Sequence, residues 1–233
     1  MNRNGTVSLL IACLEVLLLL NLFVFAEKNR LNKIVMMIVA LLAGYQTMEF
    51  LMCQVELQNA FFPYFAFVII SFLPPLNLIL TSAFTKVSAD KLTLVKILIF
   101  IPAVFFMIYY TSLLPQFAVT SCTVLYATYH YPYGELFGFF YYLPILVSIV
   151  LLIRFIRKEN DKKTKKIGKV LLFGSVFISL PVVVGFTLMF AGNYSLISAI
   201  ESIMCKFAFV YAVCLSFVCV YNSPLKDRKI KVQ

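Results

Sequence analysis

The sequence predicts an all-α integral membrane protein, a seven-transmembrane-helix bundle with its N-terminus outside and its C-terminus cytoplasmic. Three observations predict it. The 233-residue chain is 62% hydrophobic and only 13% charged, with a mean hydropathy of +0.96, whereas a soluble domain is closer to half apolar and a quarter charged. Seven long apolar runs divide the chain. The basic residues between those runs fall almost entirely on one side of the layer the runs would cross. This composition excludes a soluble enzyme, a disordered chain and a collagen-like rod.

The runs, in order, are Val7–Ala26, Ile34–Cys53, Phe61–Phe84, Leu94–Leu114, Leu136–Ile153, Val170–Ala191 and Leu196–Tyr221. Each approaches the ~20 residues that cross a ~30 Å hydrocarbon layer as a helix. None alternates strictly between apolar and polar, which argues against a transmembrane barrel. Span one is followed by Lys28, Arg30 and Lys33, and span three by Lys86, Lys91 and Lys96. Spans five and six are joined through Arg154, Arg157, Lys158, Lys162, Lys163, Lys165, Lys166 and Lys169. The tail after span seven holds Lys226, Arg228, Lys229 and Lys231. With seven spans all 18 of these lie on one side, opposite Arg3. Positive loops stay cytoplasmic, so that side is the inner one. The net charge of +10 is then topogenic, and no nucleic-acid partner is expected. Reading Met1–Ala26 as a cleaved signal peptide, on the strength of Val24-Phe25-Ala26, would invert every later loop and export the basic residues.

One domain over residues 1–233 is expected, with no soluble appendage and no internal repeat of the kind that builds inverted-repeat transporters. Pro74-Pro75, Pro102, Pro144 and Pro181 fall within spans three to six. Each removes a backbone donor. They read either as hinges or as the proline that membrane helices ordinarily carry.

Four ionisable residues are drawn into the apolar spans: Glu15, Glu49, Glu201 and Lys206. Each costs ~2.5–3.5 kcal/mol near the midplane, so each needs a partner or a cavity. Counted from the outer boundary at 1.5 Å per residue, Glu49 lies ~7 Å deep, Glu201 ~8 Å, Glu15 ~12 Å and Lys206 ~15 Å. Gln46, Glu49 and Cys53 share one helical stripe, Ser198, Glu201 and Cys205 a second, and Ser195, Ser202 and Lys206 a third. Glu201 and Lys206 are about 140° apart on their helix and make poor partners. The expectation is a Lys206–Glu15 pair, nearest in depth, with Glu49 and Glu201 lining an outward-opening cavity and Gln46 and Ser202 beside them. The plain alternative is a structural ion pair with the shallower acids reaching interfacial water. A lysine in span seven also suggests retinal chemistry, but span three has no acid for a counter-ion and the chain has no Trp.

Cys13, Cys53, Cys122, Cys205, Cys214 and Cys219 include no CxxC pair and no histidine in ligand spacing, so no metal site is expected. Cys53 and Cys122 alone reach the outer, oxidising side. They are either a disulfide pinning the outer loop to span two or two free thiols. Tyr126, Tyr129, His130, Tyr131, Tyr133, Phe137 and Tyr141 crowd the outer loop and the start of span five. They read as an interfacial belt, or, with Tyr129, His130, Tyr131 and Tyr133 at its edge, as an aromatic rim over an extracytoplasmic pocket. The triplets Asn4-Gly5-Thr6 and Asn193-Tyr194-Ser195 match the glycosylation pattern close to a span. No catalytic constellation and no phosphate loop is found: His130 has no acid and nucleophile set, and no Asp lies within a span. Neither a catalytic activity nor a cofactor is expected.

The first half has a further cadence. Asn21-Leu22-Phe23-Val24-Phe25 ends span one, and Glu27 to Lys33 makes a charged turn. Gln46-Thr47-Met48-Glu49-Phe50 closes span two, and Phe72-Leu73-Pro74-Pro75-Leu76-Asn77 lies in span three. Over about residues 15–84 this resembles the seven-transmembrane N-terminal sensor region of bacterial membrane-bound histidine kinases, although span two lacks the tryptophan of that pattern. That region precedes a kinase or similar output domain; here twelve residues follow span seven. The resemblance therefore implies a stand-alone sensor or receptor-like module in the cell membrane, the inner membrane if bacterial. It would bind a small ligand in the outer half and pass its signal to a separate cytoplasmic partner, for which Arg154–Lys169 is the candidate surface. A small transporter or ion carrier using Glu15, Glu49, Glu201 and Lys206, and a membrane-embedded lipid enzyme, are the rival readings. Animal seven-helix receptors share the topology, but only Tyr221-Asn222-Ser223-Pro224 resembles their closing motif.

Overall fold

A computed structural model describes residues 4–57, 59–85, 89–132, 134–190 and 200–222. Lys86, Tyr133, Ser195, Ser198, the Asn193 triplet, Pro224 and the basic tail lie outside these, as does the side chain of Glu201. The protein is an all-α membrane protein in which six helices are long and apolar enough to cross a bilayer.

Helix α1 (Thr6–Phe25) buries a single stripe, Ser8, Ala12, Glu15 and Leu22, and turns Leu10, Leu17, Leu20, Phe23 and Val24 outward. Helix α2 (Arg30–Cys53) starts where Asn29 Oδ1 accepts the Asn32 N–H at 2.8 Å, an N-cap that satisfies one of the helix's orphan donors. Span three is divided into α3 (Phe61–Ser71) and α4 (Leu73–Phe84) at Phe72. The break precedes Pro74-Pro75 because the two prolines supply no backbone donors and suit the first turn of a new helix. Pro102, Pro144 and Pro181, by contrast, sit inside unbroken helices.

Helix α5 (Ala89–Ser112) is 24 residues long, and its described side chains, from Leu98 on, form an apolar stretch that runs to Ser112. Helix α6 (Gly134–Lys158) and α7 (Lys162–Phe190) run on through the basic segment, so the expected loop of Arg154–Lys169 narrows to three residues. Asp161 caps α7, its carboxylate accepting from the Thr164 N–H at 2.8 Å and the Thr164 hydroxyl at 2.6 Å. These bonds, the Thr164 hydroxyl first, hold the Asp161 carboxyl below the usual carboxylate range. Helix α8 (Ile200–Asn222) closes the bundle against α1, α2 and α7.

One element departs from the all-helical expectation. Between α5 and α6 the chain forms a short 3₁₀ turn, Leu114–Gln116, and an antiparallel hairpin of β1 (Ala118–Cys122) and β2 (Ala127–His130). Cys122 pairs with Ala127 and Val119 with Tyr129, with an irregularity between Val119 and Ser121. The Thr, Val and Tyr content here has the stiff, branched and aromatic character that suits strands.

The hairpin lies against the start of α1, the end of α2 and the start of α8. Gly5 donates its N–H to Thr123 O at 3.0 Å. Its φ of 74° is a conformation glycine adopts without strain, and a Cβ there would meet Cys53 Cβ at 3.1 Å. Cys53 is bonded to Cys122, with Cα atoms 5.5 Å apart. At the other end of the bundle the Lys163 and Lys166 ammoniums lie over the Tyr221 ring, at 5.5 and 5.1 Å. The molecule thus has a hairpin end and a basic end.

The core between them is apolar and aromatic. Leu42, Phe67, Ile70, Leu80, Met204 and Leu215 are fully enclosed. Helices α7 and α8 approach closely at Gly174, where a Cβ would fall 2.6 Å from Tyr211 Cδ2.

Candidate functional site

The hairpin end holds a polar network built from four elements. The stripe of α2 that carries Gln46, Glu49 and Cys53 faces inward, and all three are buried. Lys206 arrives from α8. Its ammonium donates to Glu49 Oε2 at 2.6 Å, to Gln46 Oε1 at 2.6 Å and to Ser8 Oγ of α1 at 2.9 Å. An ammonium has three donors and no acceptor, so each of its protons has a partner. The side chains of Lys206 and Glu49 are only 12% and 1% exposed.

The second carboxylate oxygen is used as fully. Glu49 Oε1 accepts from the Ser202 hydroxyl at 2.7 Å and from the Ala127 N–H of β2 at 2.9 Å. The same Ala127 N–H reaches Ser202 Oγ at 3.1 Å. Gln46 Nε2 donates to Cys205 O at 3.0 Å. A buried pair is tolerable only when its remaining lone pairs and protons are bonded, and this one meets that condition. The network ties the main chain of the hairpin to the interior of α1, α2 and α8.

Glu49, Gln46, Ser202 and Lys206 therefore come together, with Ser8 and the Ala127 N–H as unforeseen members. The expected Lys206–Glu15 pair does not form. The depth count used backbone positions, whereas a helical side chain leans toward the start of its helix. Because α8 starts at the hairpin end, the lysine stem carries its charge up to Glu49. Glu15 is fully enclosed and neither of its carboxyl oxygens has a hydrogen-bond partner. The expected outward-opening cavity lined by Glu49 is also corrected: Glu49 is sealed under β2. Glu201 lies on α8, its side chain outside the described residues.

The aromatic residues of the hairpin are turned into the bundle. Tyr129 is buried, its hydroxyl 3.4 Å from that of Tyr45. Tyr131 stacks on Phe117 at 5.9 Å and meets Tyr110 edge-on at 5.7 Å. Phe67 lies beneath, 4.5 Å from Phe137. His130 remains exposed. These rings form a plug beside the charged network, with the Cys53–Cys122 bond on its α2 flank.

A separate polar spot lies at mid-bundle, where the Tyr211 hydroxyl donates to Asn77 Oδ1. It borders a cavity of about 30 Å³ lined by Leu42, Pro74, Tyr141, Cys205 and Tyr211 among others. That space suits about one water. Among the described residues no group of three or more His, Cys, Asp or Glu is placed to hold a metal ion.

No protein-family model, no curated protein and no solved structure matches the chain.

Proposed function

We propose that the chain is a seven-helix sensor-like protein of the cell membrane, N-terminus outside and C-terminus cytoplasmic, similar in kind to the sensor region of bacterial histidine kinases. The hairpin end receives the stimulus and the basic end reports it. The observation that carries this reading is the bond from the Ala127 N–H to Glu49. It makes a loop in the outer medium a direct partner of a charged contact shared by three helices. A small ligand that lifts β2 would remove a donor from Glu49 and shift the packing of α1, α2 and α8, the kind of two-state bias by which ligands act. The 24 residues of α5 supply the seventh pass. Its basic start then shares the inner side with Arg154 to Lys169, where a cytoplasmic partner would dock.

The test uses the full chain in vesicles, with Lys163→Cys as a reporter for an impermeant maleimide. Labelling from the inner side alone is expected, at a rate that changes at least several-fold when Glu49→Gln opens the network. Labelling from the outside overturns the orientation, and an unchanged rate overturns the coupling.

The unpartnered Glu15 favours a second reading, a small ion carrier. That reading requires Glu15-dependent proton flux in the same vesicles, and its absence removes the reading.

A further inference from the structure

Glu15 is the one intramembrane acid whose described geometry leaves it with nothing to do. It is fully enclosed, and both oxygens are without hydrogen-bond partners. Its place on α1 is informative. Glu15 lies seven residues from Ser8, two helical turns and about 10 Å along the axis, on the same buried stripe. Ser8 is a ligand of the Lys206 ammonium. The lysine thus touches the face of α1 that carries Glu15, two turns nearer the hairpin.

Helix α1 packs against α2 and α8. Into the bundle α2 brings Tyr45 and Glu49, and α8 brings Lys206, Tyr211 and the thiols of Cys205, Cys214 and Cys219. Tyr45 faces Tyr129 and Tyr211 faces Asn77. The Lys206 ammonium, bonded to Ser8 on that face of α1, is already balanced by Glu49 at 2.6 Å. One ammonium is therefore bonded to one carboxylate, while a second carboxyl group lies two turns along the α1 stripe from its Ser8 ligand. An ionised carboxylate without a partner in hydrocarbon is far costlier than a neutral acid.

We propose that Glu15 is a proton-binding site and the alternate seat of Lys206: it holds a proton while the lysine sits on Glu49 and gives that proton up when the lysine swings to it. In the swing the lysine stem turns from the hairpin end toward the basic end. The Glu15 O–H bond breaks, and the proton passes to the Glu49 carboxylate, which has lost its ammonium. One cation, one anion and one neutral acid remain on each side of the step, so it costs no net charge in the bilayer. The exchange holds whether the chain senses or carries, and its ligand is the proton.

Infrared spectra of the full chain in phosphatidylcholine vesicles at neutral pH test it, read at the C=O stretch of a protonated carboxylic acid. The wild type should show a band that Glu15→Gln removes and Glu15→Asp shifts without abolishing. Glu49→Gln should also abolish it, because the lysine then moves to Glu15 and ionises it. Adding Lys206→Met to Glu49→Gln should restore the band, which also establishes that the fold survives. A spectrum in which Glu15→Gln removes nothing overturns the proton site. A Glu15 band that persists in Glu49→Gln overturns the alternate seat.

Discussion

Replacing Lys206 by Met removes the ammonium and keeps most of the stem. Three hydrogen bonds vanish with it, at 2.6, 2.6 and 2.9 Å. The largest consequence falls on Glu49, which keeps the Ser202 and Ala127 donors on Oε1 but loses the ammonium from Oε2. Breaking a buried pair from one side typically costs about 3–5 kcal/mol. With 12% exposure on the lysine side, little of this is relieved by solvent. We expect Lys206→Met to destabilise by about 3–5 kcal/mol, within that range. Adding Glu49→Leu removes the stranded carboxylate, and the double variant should lie well below the sum of the two single effects. The assay is a double-mutant cycle on unfolding in bicelles. Single effects that add within about 0.5 kcal/mol, the agreement seen for independent sites, would refute the reasoning, since groups 2.6 Å apart cannot then be coupled.

Three further outcomes follow from other parts of the molecule. Reducing Cys53–Cys122, a link across 69 residues, should accelerate hydrogen exchange at the β1–β2 amides and at Ala127, with α7 unchanged; uniform exchange would mean that the link does not hold the hairpin. Gly174→Ala should lower the melting temperature, at a cost of about 1–3 kcal/mol for overpacking, because its Cβ would fall 2.6 Å from Tyr211 Cδ2. Gly138→Ala, whose nearest such neighbour is 3.9 Å away, should be silent. At the start of α7, the lowered pKa of Asp161 means that its cap stabilises fully above the unfolded aspartate value and is lost as pH falls through the folded one. Protection of the Thr164 amide, relative to its intrinsic exchange rate, should therefore fall in acid, and Asp161→Ala should lower it at neutral pH and remove that acid dependence.

The membrane class, the helices and the chemistry of the polar site were legible from residue types alone. Apolar run length places α1, α2 and α8 within about four residues, since hydrocarbon thickness sets helix length, whereas α6 and α7 run about five and eight residues further into the basic segment, where charge rather than apolarity fills the helix. The stripe of Gln46, Glu49 and Cys53 faces inward as its spacing requires. Three things were not legible. The hairpin escaped because a short strand pair inside an aromatic loop has no long period. Lys206 was given the wrong acid because depth was counted at the backbone, whereas a long side chain reaches a full turn from it. The Ala127 N–H was invisible because every non-proline residue carries the same donor, and only the hairpin register aims this one at Glu49. Ser8 shows the same limit: a small hydroxyl on an apolar helix acquires its role from what arrives opposite it.

The same network bears on what its charges contribute. An apolar replacement of similar volume is often as stable as a buried ion pair, so Lys206 and Glu49 are a weak explanation of why the bundle holds together. Their distinctive effect is directional. Nonspecific packing would let α8 settle against α1 and α2 at several heights, but an ammonium bonded to Ser8, Gln46 and Glu49 favours the register in which those three meet it. The hairpin joins that register through Ala127, and the disulfide fixes the hairpin to the end of α2. Since Glu15 lies two turns further along the face that Ser8 occupies, the next charge-compatible register available to Lys206 is the one centred there. Variants that empty Glu49 should therefore move the lysine along α1 rather than release the helix.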